Sequence, residues 1–309
     1  MRVVAALGGN ALLRRGEPLD AEVQLKHLAE AVAALAPLAD RHELVVTHGN
    51  GPQVGLLAEE STIDPRLHRP YPLDALDAQT QGMIGYWLVR EMRRARPGRE
   101  VVALITQTVV REDDPAFARP TKFVGPVYSA DEAARLAEDL GWVMRPDGGF
   151  WRRVVPSPEP HDIVELPIIH RLLQTGCVVI AAGGGGVPVV VGPDGPRGVE
   201  AVIDKDLAAA LLAERLDADA LLLLTDVPYV MRDFGTARQR PITEATPGEL
   251  RRLGLPAGSM GPKAEAACRF AERRPGSIAV IGELTDAAAL LAGETGTRIV
   301  AEREVTGLR

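Results

Sequence analysis

The sequence lacks the features that would place the chain in a membrane, a disulfide scaffold or a nucleic-acid complex. No apolar run reaches the ~18–20 residues that a bilayer-spanning helix needs, and the N-terminus shows no signal-peptide pattern. The only two cysteines, Cys177 and Cys268, have neither CxxC nor Cys/His spacing and are expected to be core thiols. A net charge of −7 argues against a general nucleic-acid or membrane-surface binder. We therefore expect a soluble, cytoplasmic protein.

Lysine is scarce in this chain. Four of the 35 basic residues are lysine, and the rest are arginine. Where arginine serves as the general surface cation, a retained lysine more often meets a need for a compact, mobile point charge. Lys26 lies in the amphipathic stretch EVQLKHLAEAV and is predicted to be an ordinary exposed helix residue. Lys122, Lys205 and Lys263 lie in compact polar motifs, where a solvated surface lysine and a ligand-binding lysine are about equally favoured.

Short apolar runs alternate with stretches of helical periodicity along most of the chain. Strands are predicted at Val3–Leu7, Glu43–Thr47, Val101–Thr106, Cys177–Ala182, Ala220–Thr225 and Ser277–Ile281. Helices are predicted at Ala21–Ala39, Leu73–Arg94, Ile163–Thr175, Asp206–Leu216 and Pro262–Arg274. Such alternation implies an α/β fold in which a mainly parallel sheet is covered by helices on both faces.

Glycine or polar residues follow four of the predicted strands. The first strand ends in Gly8-Gly9-Asn10, the second in HGNGPQ (48–53), the fourth in GGGG (183–186) and the fifth in Asp226. Each alone is best read as a tight turn, because glycine permits positive φ angles. Four at the carboxyl ends of strands in one sheet favour a ligand cleft, since open α/β sheets bind ligands at that edge.

The standard nucleotide and nucleophile motifs are missing. No lysine follows a glycine as in the Walker pattern, and GNGPQV and GGGGVP both fail the last position of GxGxxG. There is no evident Ser-His-Asp or Cys-His constellation, and His48, before a glycine turn, is expected to have a structural role. Phosphoryl transfer to an oxyanion acceptor needs none of these, because it relies on positioning and cations and requires no general base.

The three motif lysines suit an anion site. Lys205 stands at a predicted helix start with Asp204 as a candidate N-cap, and Lys263 follows Pro262, which suits a first helical turn. A helix N-terminus adds positive potential for a phosphate. Lys122 lies within residues 117–156, which break the strand–helix rhythm and are predicted to form an inserted lid subdomain.

Seven motifs resemble, in order and spacing, those of the carbamate kinases of the amino-acid kinase superfamily. They are ALGGNAL, THGNGPQVG, PLDALDAQTQGMIGYWL, RPTKFVGPVY, AAGGGGVPV, VIDKDLAAALLA and GSMGPKAEAACRF, and the match runs from about Val3 to Ile299. The resemblance implies an open αβα sandwich, usually homodimeric. It implies a substrate lobe at 1–216 carrying the lid, and a nucleotide lobe at 217–309.

The same resemblance implies reversible phosphoryl transfer from ATP to carbamate, with Mg²⁺ entering as the nucleotide complex and no metal site formed by the protein. Carbamoyl phosphate and ADP are the products, and the direction implied in many bacteria is ATP synthesis during arginine fermentation. By motif, Lys122, Lys205 and Lys263 would neutralise the phosphates while Asp206 orients the lysines.

Further site residues are carried over by motif. Gly8, Gly9 and Asn10 would contact the transferring phosphoryl group. The backbone and amide donors expected to hold carbamate are those of Gly49, Asn50, Gly51, Gly183 and Gly184. The residues expected to flank the nucleotide are Asp226, Tyr229, Met231, Phe234, Met260 and Gly261.

One neutral position separates this chain from its siblings in the superfamily. Relatives such as N-acetylglutamate kinase carry a catalytic lysine just before the first glycine turn, where this chain has Ala6. Lys122 is expected to supply that charge. Pro228 and Phe123 depart from the family's usual aspartate and proline, and the first bears on nucleotide affinity. A sibling enzyme acting on another carboxylate and a catalytically silent nucleotide-binding regulator are the alternatives.

Overall fold

The computed structural model describes residues 1–14, 16–256, 258 and 260–301, and for Asn10 it describes the backbone only. Ser259 of the GSMGPK motif and residues 302–309 of the predicted nucleotide lobe lie outside the described part. The strands are β1 Arg2–Leu7, β2 Glu43–Thr47, β3 Val101–Ala103, β4 Gln107–Val109, β5 Lys122–Tyr128, β6 Met144–Asp147, β7 Phe150–Val155, β8 Asp162–Ile163, β9 Val178–Ile180, β10 Val187–Gly192, β11 Gly195–Gly198, β12 Ala220–Thr225, β13 Val230–Arg232, β14 Arg240–Ile242, β15 Glu244–Ala245, β16 Ile278–Glu283 and β17 Thr297–Ile299.

The α-helices lie between these strands. They are α1 Ala21–Ala39, α2 Gly51–Ile63, α3 Leu73–Ala95, α4 Pro115–Ala118, α5 Ala130–Leu140, α6 Leu166–Gln174, α7 Lys205–Arg215, α8 Pro247–Arg252, α9 Met260–Arg273 and α10 Ala287–Ala292. Short 3₁₀ turns occupy Gly9–Ala11, Gly183–Gly185 and Leu284–Asp286.

An eight-stranded sheet organises the molecule in the order β15-β17-β16-β12-β1-β2-β9-β3. The six strands from β16 to β3 run parallel, and β17 pairs antiparallel with β16 at one end. The predicted α/β fold with an open, mainly parallel sheet is therefore confirmed. Because β1 pairs with β12, one sheet continues across the boundary predicted at residue 216. The division into substrate and nucleotide lobes stays a prediction.

Both faces of this sheet are buried. In β1, Val4 and Ala6 enter one hydrophobic cluster, which includes α7 and α9 residues, while Val3, Ala5 and Leu7 enter a second, which includes α1 and α3 residues. A strand covered on both faces must be apolar at every position. This two-sided burial explains why RVVAAL and ALLLLT read as continuous apolar runs.

Residues 122–155 form a separate unit. Strands β5, β7 and β6 make a three-stranded antiparallel sheet, with α5 between β5 and β6 in the chain. Helix α5 begins with a capping box in which Ser129 and Glu132 satisfy each other's backbone N–H groups. This unit coincides with the interruption predicted at 117–156, and its role as a lid stays a prediction.

One helix was not predicted, and two predicted elements have other bounds in the structure. Helix α2 was not predicted, because Gly51 and Pro52 resembled a turn, yet proline in the first helical turn is favourable. The strand predicted at Val101–Thr106 ends at Ala103, after which the backbone N–H of Thr106 bonds to the Gln81 side chain. The helix predicted from Ile163 begins at Leu166, because Ile163 pairs with β4.

Candidate active site

Four glycine or polar loops meet at one edge of the main sheet. They follow β12, β1, β2 and β9, which are neighbours in the sheet and run parallel, so their carboxyl ends lie side by side. The Gly8 N–H donates to the Leu224 carbonyl (3.0 Å), and the Gly184 N–H donates to the His48 carbonyl (2.8 Å). The first bond ties the loop after β1 to the end of β12, and the second ties the loop after β9 to the loop after β2. The predicted convergence of the four strand ends is confirmed.

Asp206 holds two lysines at this edge. Its carboxylate lies 2.8 Å from Lys205 Nζ and 3.0 Å from Lys263 Nζ. Lys205 and Asp206 come from the first turn of α7, and Lys263 comes from α9, which packs against α7. All three side chains are largely buried, at 18%, 6% and 10% exposure in the order Lys205, Asp206, Lys263.

The protonation states of this trio are set by burial and by mutual attraction. Burial alone would raise the pKa of Asp206, but the two ammonium groups outweigh it and lower that pKa to about 2. Burial also opposes the charge on Lys205, yet the Asp206 carboxylate prevails and raises its pKa. Burial, assisted by the neighbouring Lys205 charge, lowers the pKa of Lys263 to about 8. Near neutral pH the trio thus carries two positive charges and one negative.

Lys122 reaches the same edge of the main sheet from the antiparallel unit. Its Nζ lies 2.9 Å from Asp204 Oδ2. Asp204 Oδ1 caps α7 by accepting from the backbone N–H groups of Asp206 (3.0 Å) and Leu207 (3.3 Å), which confirms the predicted N-cap. Asp204 therefore links Lys122 to α7, the helix that carries Lys205 and Asp206. The pairing partner of Lys122 was not predicted from the sequence.

The glycines of the loops allow the loop backbones to lie close to each other and to neighbouring side chains. A Cβ at Gly49 would lie 3.1 Å from Lys205 Cδ and 3.6 Å from Gly9 Cα. Gly184 has φ +68°, and a Cβ there would overlap the Asn50 amide. Since the N–H groups of Gly8 and Gly184 are already engaged, these two residues offer space rather than hydrogen-bond donors. Gly9–Ala11 form the first 3₁₀ turn, Gly51 begins α2 and Gly183 lies against the His48 ring.

A buried polar group between the loop after β2 and helix α3 was not predicted from the sequence. Asn50 Nδ2 donates to Asp77 and to Thr80 Oγ1 (2.9 Å). Asn50, Asp77 and Thr80 are 3%, 2% and 0% exposed. Both amide hydrogens are therefore used inside the protein, so the expected amide-donor role of Asn50 toward substrate is not supported. The signal lay in DALDAQTQ, where polar side chains three apart share the buried face of α3.

His48 is a structural residue, as its position predicted. Its ring is buried, and Nδ1 donates to the Gly49 carbonyl (3.0 Å). Burial lowers its pKa to about 4, so the imidazole is neutral at physiological pH. A Cβ at Gly183 would collide with this ring. The contact between His48 and Gly183 therefore fixes how the loop after β2 packs against the loop after β9.

The predicted nucleotide-flanking residues lie beyond β12 and at the start of α9. Asp226 follows β12 directly, Met231 lies in β13 and Phe234 is 75% exposed. The hydroxyl of Tyr229 accepts from Thr295 Oγ1 (3.2 Å). Met260 and Gly261 open the helix that carries Lys263, and the Gly261 N–H donates to the Pro256 carbonyl (2.9 Å).

The remaining sequence expectations concern residues away from the cleft. Lys26 is exposed on α1, and Cys177 and Cys268 are buried free thiols, as predicted. Phe123 is 40% exposed, with the Arg152 guanidinium 5.9 Å from its ring centre. Within the described ranges, no cluster of three or more His, Cys, Asp or Glu could hold a metal ion. No described helix is long and apolar enough to cross a bilayer.

An open parallel sheet with lysines gathered on a buried aspartate at its strand ends defines a phosphotransferase-type site. Residues 1–281 match the model of the Amino acid kinase family. A carbamate kinase of Rhizobium meliloti is 51% identical over 304 residues, covering 97% of this chain and 93% of that protein. One from Pyrococcus furiosus is 44% identical over 311 residues, covering 97% and 99%.

Solved structures agree with the sequence relatives. A Giardia lamblia carbamate kinase bound to AMP-PNP superposes with a TM-score of 0.89 at 37% identity, covering 97% of this chain and 98% of that one. The chain belongs to the amino acid kinase family and, within it, to the carbamate kinases.

The buried Asp77 carboxyl predicts a pH dependence of stability. Burial raises its pKa to about 7, so between the unfolded value near 3.8 and about 7 the folded state binds more protons than the unfolded state. The free energy of unfolding therefore falls as pH rises through this window. Asp77→Asn removes that contribution, and we expect the wild-type Tm to fall relative to the variant's Tm between about pH 4 and about pH 7. Parallel Tm profiles for the two proteins would contradict it.

Proposed function

We propose that the protein catalyses reversible transfer of the γ-phosphoryl group of ATP to carbamate, giving ADP and carbamoyl phosphate. The observation that carries the proposal is the set of three lysines at one sheet edge, two on Asp206 and one on Asp204. The match to carbamate kinases over nearly the full chain supports the choice of acceptor.

The chemistry follows from charge and position. A carbamate oxygen donates an electron pair to the γ-phosphorus, and the bond from that phosphorus to the β,γ-bridging oxygen breaks, leaving ADP. Carbamate already carries the negative oxygen, so no base removes a proton. Lys205 and Lys263 would stabilise the charge that spreads over the phosphoryl oxygens. ATP or ADP would bind as its Mg²⁺ complex, which would supply further neutralisation of the phosphate charge.

The glycine loops and the antiparallel unit would complete the cleft. Gly8, Gly9 and Asn10 would border the transferring phosphoryl group, and Gly49, Gly51 and Gly183 would border carbamate. Because β1 has the neutral Ala6 before its turn, Lys122 would provide the third cation, with residues 117–156 acting as a lid. Residues 1–216 would form the substrate lobe and 217–309 the nucleotide lobe.

ATP or ADP would lie on the β12–β13 side of the cleft. The segment containing Asp226, Tyr229, Met231 and Phe234 would flank the nucleotide, together with the first turn of α9 at Met260 and Gly261. Pro228 lies in this wall and bears on the fit of the base. In the cell, a cytoplasmic enzyme of this kind would run toward ATP synthesis during arginine fermentation.

The decisive experiment mixes the purified protein with carbamoyl phosphate and MgADP and measures ATP. ATP above a heat-inactivated control supports the proposal. Its absence, together with tight MgADP binding, would indicate a silent regulator, and activity only with another acyl phosphate would indicate a sibling enzyme.

Each of the three cleft lysines should be required. In the same assay, Lys122→Ala, Lys205→Ala and Lys263→Ala are each expected to lower kcat by at least ~100-fold, since a preorganised cation facing a charged transition state typically contributes that much. Lys26→Ala, on the exposed face of α1, is the matched control and should keep wild-type turnover. Full activity in Lys122→Ala would remove the antiparallel unit from the mechanism.

The buried Lys263 predicts an alkaline limb in the activity profile. Its pKa of about 8 means that it loses its positive charge as pH rises through that value. We expect kcat/KM for MgADP, which reports the free enzyme, to fall above about pH 8. The Lys26→Ala control should show the same limb. A flat profile to about pH 9.5 would show that Lys263 keeps its proton or does not bind phosphate.

We also propose that two chains associate through the β3 edge of the sheet. A cavity of about 370 Å³ lies there between α3 and residues 101–105, and Tyr86 (60% exposed) and Ile105 (47% exposed) border it. An unpaired edge with exposed apolar side chains is a typical association surface.

This association predicts a measurable mass. Light scattering coupled to size exclusion should give twice the 33.0 kDa chain mass. Ile105→Asp should shift the protein toward monomer, because a carboxylate would be buried without a partner. Ile63→Asp, at a 74% exposed position on α2, should stay dimeric. A monomeric wild type would refute the proposal.

A further inference from the structure

The Asn50 amide is held in one orientation. Its Nδ2 faces Asp77 Oδ1 and Thr80 Oγ1. The Thr80 hydroxyl hydrogen is itself donated to the Asp77 carbonyl (2.8 Å), so Thr80 Oγ1 can only accept from Asn50. A flipped amide would place Asn50 Oδ1 against Thr80 Oγ1, and neither oxygen would have a hydrogen to donate. Asn50 Oδ1 is therefore the atom directed away from α3.

The position of this amide is equally constrained. Gly184 packs against Asn50 so closely that a Cβ would overlap the amide group. Gly49, the residue before Asn50, lies against the Lys205 side chain. The amide thus sits between α3 and the glycine loop 183–186, one residue along the chain from the glycine that contacts Lys205. Among the described residues, none donates a hydrogen bond to Asn50 Oδ1.

Carbamate differs from a simple carboxylate by its amine. Lysine ammonium groups and backbone N–H groups are donors, so they bind carboxylate and phosphate oxygens but cannot recognise an N–H group. The carboxylates of the lysine cluster are occupied, since Asp206 binds two lysines and Asp204 binds Lys122 and caps α7. Asp77 Oδ2 has no hydrogen-bond partner among the described residues, but Asp77 lies on the buried face of α3. Asn50 Oδ1 is an acceptor at this place that receives no hydrogen bond from the part of the chain that the structure describes.

We propose that Asn50 Oδ1 accepts a hydrogen bond from the amine of carbamate or carbamoyl phosphate, and that Asp77 and Thr80 are positioning residues that hold the amide in this orientation. The inference rests on the proposed function and specifies how that site selects its substrate. It makes Asn50 a specificity residue that separates carbamate from acids with a methyl group in place of the amine.

Acetyl phosphate is the matched probe, because a methyl group replaces the amine and the phosphate is unchanged. With MgADP and the full-length protein, ATP formation gives kcat/KM for both phosphate donors. The wild type should favour carbamoyl phosphate by at least ~10-fold, since a site built for an N–H donor rejects the analogue without one. Where acetyl phosphate turnover is below detection, its inhibition constant against carbamoyl phosphate provides the comparison.

Two substitutions test the assignment. Asn50→Leu keeps the shape and loses the acceptor, and kcat/KM for carbamoyl phosphate should fall at least ~10-fold while acetyl phosphate changes little. Thr80→Val should lower the same ratio by ~3–10-fold through a looser amide, and Thr80→Ser should restore it. Thr62→Val is the control, because Thr62 makes the same kind of bond to its own helix, to the Glu59 carbonyl (2.7 Å). KM for MgADP should stay constant throughout.

The outcomes separate this inference from the proposed function. Equal losses for both phosphate donors in Asn50→Leu would overturn the inference and leave the kinase function standing. No ATP from either donor with the wild type would overturn both. If Asn50→Leu fails to fold by circular dichroism, the Thr80→Val and Thr80→Ser pair decides, since an unchanged donor ratio in both would reject the positioning role.

Discussion

The contact between one buried carboxylate and two ammonium groups is the constraint on which the site depends. Two lysines brought together in a low-dielectric environment repel each other, and burial penalises the charge of each. Asp206 offsets both effects and leaves one net positive charge at the floor of the cleft. Burial of Lys205 is outweighed by its attraction to Asp206, so its pKa rises, whereas burial and repulsion by Lys205 outweigh that attraction at Lys263 and lower its pKa. An arriving phosphate would add the negative charge that the trio still lacks.

The fold supplies this contact through helix starts and strand ends. Asp204 caps α7, so Lys205 and Asp206 fall in its first turn, where the helix dipole stabilises a carboxylate. Lys263 is in the first turn of α9, and α9 packs on α7 against the same face of the sheet. The glycine loops after β1, β2 and β9 lie alongside because those strands are neighbours. Because Gly49 has no side chain, Lys205 can lie close to Gly9 in the turn after β1.

Sequence reasoning succeeded where local signals carry the information. Apolar runs buried on two faces predicted β1 and β12, and the scarcity of lysine directed attention to Lys122, Lys205 and Lys263. It failed where a role depends on partners far along the chain. Asp77 and Thr80 lie 27 and 30 residues from Asn50, and Asp204 lies 82 residues from Lys122. No feature of the neighbouring sequence distinguishes Asp77 from a solvated helix aspartate. The start of α2 at Gly51-Pro52 was not predicted because a turn and a helix N-terminus favour the same residues.

The position before the turn after β1 is the neutral Ala6, and the third lysine, Lys122, comes from a different part of the fold. A lysine on β1 would be fixed to the central sheet, whereas Lys122 belongs to a small antiparallel sheet. That sheet packs on α2 and α3 through a hydrophobic cluster in which Val124 and Val155 are buried against Val54, Ala58, Leu73 and Leu76. Gly55 of α2 lies so near Gly125 that a Cβ would be 2.9 Å from its Cα, and Arg153 pairs with Glu200 (2.7 Å). In the proposed site, Lys122 would complete the cation set only when residues 122–155 pack on α2, so the packing of this unit would set part of the electrostatics of the site. Asp204 connects the three cations, because it pairs with Lys122 and caps α7, whose first turn carries Lys205 and the Asp206 carboxylate that binds Lys263.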